Sequence, residues 1–201
     1  MANKVAPRGF VPLRYLNGAP WNGAANLYVV PSTDGSIISP GDAVKSAAGG
    51  DANGIPAVAK AAGTDTVRGV VIGVLAANPN DPSLVGTDLA LSVQNIPAVK
   101  TKDYYVLVVD DPKVVFGIQD DGLAALTVAS CNKNTIFTVA NPTAPSQMSA
   151  SVLATGSVNT TNTLNVKLIG LVQKPDNAFG ANAEWAVIFN LHELNGGTAG
   201  V

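Results

Sequence analysis

Trp185-Ala186-Val187-Ile188-Phe189-Asn190-Leu191-His192 decides the fold: large apolar side chains at 185, 187, 189 and 191 alternate with Ala186, Ile188, Asn190 and His192. Side chains that repeat every two residues leave opposite faces of an extended chain, so this is a strand with Trp185, Val187, Phe189 and Leu191 turned inward. Upstream, Leu164, Val166 and Leu168 alternate with Asn165 and Lys167 before Gly170. Residues 104–109 and 114–118 are continuous apolar runs, the pattern of strands buried on both faces. Asp110-Asp111-Pro112-Lys113 between them reads as a hairpin-like turn. Further strand signals lie at 27–30, 36–39, 55–60, 67–76 and 135–139, and Leu89, Leu91 and Val93 alternate with small or polar residues. Gly69 and Gly73 inside the 67–76 run imply a bulge or a close backbone approach. Residues 47–54, rich in Ala, Gly, Asp and Asn, read as a flexible loop, and 123–130 as one short helix at most.

Strand signals every ~8–12 residues, separated by Gly, Pro, Asn and Asp, predict an all-β fold, a β-sandwich or a jelly-roll-like β-barrel with little helix. The expected organisation is an extended N-terminal docking arm at 1–25, a single β-rich domain at 26–195 and a flexible tail at 196–201. Pro7, Gly9, Pro12, Gly18, Pro20 and Gly23 break regular structure in the arm, yet it carries Phe10, Leu13, Tyr15, Leu16 and Trp21. So many large apolar groups mark a segment that docks on its own body or on a neighbour. One internal echo stands out: Val71-Ile72-Gly73-Val74-Leu75 before Pro79-Asn80, and Leu168-Ile169-Gly170-Leu171-Val172 before Pro175-Asp176-Asn177. Two equivalent bulged strands would account for it.

Charged residues make up 13% of the 201 residues, about half the usual ~25%, and net charge is only −2. Such a surface resists association poorly, so part of it is expected to be covered by other subunits. Twelve scattered Lys and Arg residues and a pI near 5.2 argue against nucleic acid as a partner. No stretch approaches the ~18 uncharged apolar residues of a membrane span. No apolar signal core follows Met-Ala-Asn-Lys, so synthesis in the cytoplasm is expected. The one cysteine, Cys131, has no intrachain disulfide partner.

Catalytic options are few. His192 is the sole histidine, is expected on the outer face of the last strand, and has no Gly-x-Ser-x-Gly elbow to serve. One His and one Cys fall short of a zinc ligand set. Asp110-Asp111 and Asp120-Asp121 flank one strand and could approach each other to hold calcium, but they lack a loop of alternating oxygen ligands. Glu184 and Glu193 are the only glutamates, and aromatics are too sparse for a glycosidase cleft. Gly49-Gly50-Asp51-Ala52-Asn53-Gly54 runs into Ile55-Pro56, with no phosphate-loop lysine. The expectation is a non-enzyme with no cofactor and no metal.

Several motifs are familiar. Arg8-Gly9-Phe10-Val11-Pro12-Leu13-Arg14-Tyr15-Leu16-Asn17-Gly18 with Trp21-Asn22-Gly23 resembles the start of small virion proteins of tailed bacteriophages. Pro40-Gly41-Asp42-Ala43-Val44, residues 70–75, Asp110-Asp111-Pro112 with Val115-Phe116-x-Ile118-Gln119-x-Asp121-Gly122, and the close with Asp176-Asn177-x-x-Gly180, Trp185 and Asn190-x-His192 fit the same pattern. The nearest class is the head decoration, or cement, protein. The resemblance implies a dimer or trimer located on the virion surface, bound to the major capsid protein and stabilising the shell. It further implies that Phe10, Tyr15 and Trp21, with Leu13, act as docking anchors, and that Arg8 and Arg14 pair with acidic shell surface. On that view, removing residues 1–25 leaves a folded body that binds the shell weakly. Two alternatives stay open: a tail-tube or head–tail connector subunit, and a carbohydrate-binding β-sandwich using Trp21 or Trp185.

Overall fold

The structure, a computed structural model, describes residues 3–78 and 93–195. The Leu89 and Leu91 alternation, the turn after Asn78 and the 196–201 tail lie outside the described residues. The fold is all-β. Its strands are β1 (Val11–Tyr15), β2 (Asn26–Val30), β3 (Ala43–Gly50), β4 (Pro56–Lys60), β5 (Gly69–Leu75), β6 (Tyr104–Val109) and β7 (Val114–Gln119). They continue with β8 (Asn134–Thr135), β9 (Phe137–Thr138), β10 (Val152–Leu153), β11 (Val166–Leu171) and β12 (Glu184–Phe189). β2, β4, β3, β5 and β6 close into a barrel, and β1, β7, β12, β11 and β8 form an antiparallel sheet in that order.

The two-residue period explains how the barrel fills its own interior on one strand face and packs on the sheet with the other. Tyr28, Val30, Val44, Val58, Val71, Val106 and Val108 fill the barrel with Ile38 and Ile96. Their neighbours on the opposite face, Ala43, Val70 and Val109, join Phe116, Ile118, Leu168, Trp185, Val187 and Phe189 in the larger core against the sheet. Hence the continuous apolar runs: β6 and β7 are covered on both sides. They are not a hairpin. β6 pairs with β2 and β5, β7 with β1 and β12, and residues 110–113 pass the chain from barrel to sheet.

The internal echo has a structural counterpart. β5 shifts register between Val71 and Gly73, and β11 between Leu168 and Gly170, so Ile72 and Ile169 occupy matching bulges. Residues 47–50, expected in a loop, instead extend β3: Gly50 pairs with Pro56, and the Asp51 carboxylate accepts from the backbone N–H of Asn53 and Ile55 to fix the turn. Residues 123–130 contain only one 3-10 turn, Val128–Ser130.

The division at residue 25 does not separate an arm from a body. β1 is an edge strand of the sheet, paired with β7. Phe10, 1% exposed, packs its ring 5.0–6.2 Å from those of Phe116, Phe137 and Phe189. Of the two readings left open for this segment, the structure shows docking on the chain's own body.

Candidate interaction surface

The six residues expected at a partner interface are engaged within the chain. Arg8 pairs with Glu184 at 3.1 Å, and Phe10 lies in the core. Leu13 packs beside Gly117, and the Arg14 guanidinium donates to the Tyr15 carbonyl. The Tyr15 hydroxyl donates to Asn22, and the Trp21 indole donates to the Ala24 carbonyl while its ring lies against the core.

The acidic pairs do not converge. They stand at opposite ends of β7, roughly 20 Å apart by strand rise. Asp110 accepts from the Tyr28 hydroxyl at 2.6 Å and from the Asn26 amide, while Asp111 caps the Lys113 N–H. Asp120 is buried and accepts from the N–H groups of Gly122, Asn182 and Ala183 and from the Trp185 indole. Burial raises its pKa, against the pull of those donors. Asp121 bonds Thr155. Among the described residues no three His, Cys, Asp or Glu side chains gather around a metal position.

His192 is buried, not outward-facing. β12 ends at Phe189, and the following residues bend so that Leu191 and Glu193 bracket Val67 through backbone hydrogen bonds. The imidazole sits 6.3 Å from the Phe189 ring, and its Nδ1 accepts from the Leu194 N–H. Burial lowers its pKa to about 4, so it is neutral at pH 7. Arg68, stacked over the Tyr28 ring and donating to its hydroxyl, extends this network toward Glu193, which holds Ser46. Desolvation and the Asp110 bond push the Tyr28 hydroxyl up to about 12. A second network is deeper: Asp42 binds Lys60 at 3.0 Å, Ser149 at 2.6 Å and the Ser39 N–H. Both clusters join distant segments, and buried, mutually satisfied charges of this kind fix register.

The outward-facing feature is apolar. Leu123 is 86% exposed and Val128 is 70% exposed, with exposed Ala124, Ala125 and Ala129 between and beside them. Leu126 turns into the core and bridges Gly180, which brings the half-exposed Phe179 alongside. The Phe179 ring rests 5.7 Å from that of Trp185. The tip is held in place on several sides. Asp121 accepts from the Leu123 N–H, Thr155 from the Ala124 N–H, and Thr127 and Ser130 cap the Val128–Ser130 turn reciprocally. No charged residue occurs from 122 to 132. Sequence reasoning passed over this site. Its available signal was an apolar run behind Asp120-Asp121-Gly122 with neither helical nor strand periodicity.

No family model, curated protein or solved structure matches this chain.

Proposed function

We propose that the chain is a non-catalytic structural protein of a tailed-bacteriophage virion that binds the outside of the capsid shell and stabilises it. The observation that carries this reading is the apolar tip at 123–129 with Phe179. Large aliphatic side chains held in water on a pre-ordered segment cost solubility unless a partner covers them. Because hydrogen bonds already hold the tip, little ordering entropy opposes docking. Its lack of charge fits an apolar, uncharged depression on a shell subunit, and Leu123 and Val128 are suited to be central contacts ringed by alanines. The low charge of the whole chain and the resemblance of its motifs to cement proteins support the same reading. Phe10, first considered as an apolar anchor, is buried in the core, so the apolar docking role passes to the tip.

The test is co-sedimentation with capsid shells of the virus that encodes the chain. Leu123→Asp with Val128→Asp should weaken binding at least 100-fold, because two charges would enter a desolvated contact. Both sites are exposed, so the melting temperature should stay within a few degrees of wild type. Undiminished binding by this folded variant would refute the assignment.

A further inference from the structure

A second site, polar in character, lies close to the Phe179 segment. Lys4, Arg8, Gln119, Lys174, Asn177 and Glu184 border a solvent-open cavity of about 160 Å³. At ~30 Å³ per water this holds a handful of waters or one small ion with its hydration, and it is well below the ~300 Å³ of a drug-sized pocket.

Its amide walls are fixed. The Gln119 amide donates to the carbonyls of Lys4 and Asn182, and its oxygen accepts from Ala6 N–H. Asn177 donates to Val172 and Glu184 carbonyls and accepts from Glu184 N–H. Asn3 makes three bonds with the backbone of Ala178 and Ala181.

The charges, unlike the amides, are not fully engaged. Three cations, Lys4, Arg8 and Lys174, face two carboxylates, Asp176 and Glu184. Glu184 is nearly buried and holds one cation on each oxygen, Arg8 at 3.1 Å and Lys174 at 2.5 Å. That single Glu184 bond is the one Arg8 makes through its five N–H donors among the described residues, and Lys174 likewise makes one. Lys4 Nζ has no partner among them. Glu184 therefore positions two cationic heads whose remaining donors border a cavity with an excess of one positive charge.

We propose that this cavity is an oxyanion site that takes a carboxylate or a phosphate group, held by Arg8, Lys174 and Lys4. Guanidinium and ammonium groups set around a cavity match the oxygen lone pairs of such ions. The source is either an acidic side chain of a partner protein or a free ion. The proposal is independent of the capsid reading.

The experiment titrates the intact, isotopically labelled protein by NMR. The probes are inorganic phosphate and N-acetyl-aspartate amide, at constant ionic strength maintained with chloride. Saturable shifts of the Arg8 Nε–H and of the Gln119 and Asn177 side-chain amides are expected, with millimolar dissociation constants. Arg8→Gln with Lys174→Gln should weaken binding at least tenfold. Lys4→Gln, at an exposed residue whose side chain has no bonds to lose and whose carbonyl keeps its bond from Gln119, should weaken it two- to threefold without touching the fold. Tighter binding of the aspartate points to a partner's carboxylate, and tighter binding of phosphate to a free ion. Shifts that fail to saturate, that chloride reproduces, or that persist unchanged in the folded Lys4→Gln protein together with the double variant would overturn the proposal.

Discussion

Gly9 and Gly41 show what single residues decide. Gly9 has φ +67° and Gly41 φ +93°, and a Cβ on Gly9 would stand 2.3 Å from the Gly41 carbonyl oxygen. That contact lets the Phe10 N–H donate to Gly41 and swings Phe10 into its aromatic pocket. Gly9→Ala combines left-handed strain with a backbone clash and should cost about 2 kcal/mol or more, read by urea unfolding. His192 makes the second residue-scale prediction. Its folded pKa of about 4 lies below the ordinary imidazole value of 6.5. Between those values the unfolded chain binds a proton that the folded chain does not. The stability is therefore present above pH 6.5 and lost as pH falls toward 4, by roughly 3 kcal/mol at most. Asp110, Glu193 and Asp111 favour the charged imidazole and Arg68 opposes it, with burial dominating. Asp120, with its raised pKa, works in the opposite direction, since its contribution is lost as pH rises. His192→Asn keeps an acceptor for the Leu194 N–H and removes the titration, so unfolding measured from pH 4 to 7 should show a flatter slope. In the sequence His192 looked outward-facing because alternation was carried three residues beyond the end of β12. A strand's period is visible in sequence, but its last residue is set by the tertiary contact with Val67.

At the scale of elements, strand positions were largely legible and their partners were not. The runs at 104–109 and 114–118 announced two strands, yet the link at 110–113, for all its turn chemistry, joins a barrel strand to a sheet strand. Local residues set a turn, while partner choice follows from which faces can be buried. The Val71 and Leu168 echo was legible down to the bulge, because a glycine after β-branched residues marks a local backbone requirement. The N-terminal segment was legible as a docking element but not as to what it docks on. With β1 in the sheet and Phe10 in the core, removing residues 1–25 should leave a body that does not fold cooperatively. Phe10→Ala alone should cost about 3–5 kcal/mol. Thermal unfolding followed by circular dichroism distinguishes this from a dispensable arm, which would leave the transition unchanged.

At the scale of the whole molecule, composition spoke first. Few charges and much Ala, Val and Thr suit a chain that meets other chains over a broad face. Which face could not be read from sequence, since an exposed leucine and a core leucine look alike until the fold sorts them. Once sorted, Phe10 became internal, and an unperiodic loop emerged with Leu123 and Val128 exposed. Composition thus carried an expectation of assembly but not the location of the exposed apolar tip. Electron cryo-microscopy of the native particle that carries this chain tests the central claim most directly. The account predicts density for the barrel and sheet on the outer surface of a capsid shell, with Leu123, Val128 and Phe179 pressed against a shell subunit. Density in a tail tube or at the connector, or on the shell with that tip facing solvent, would contradict it.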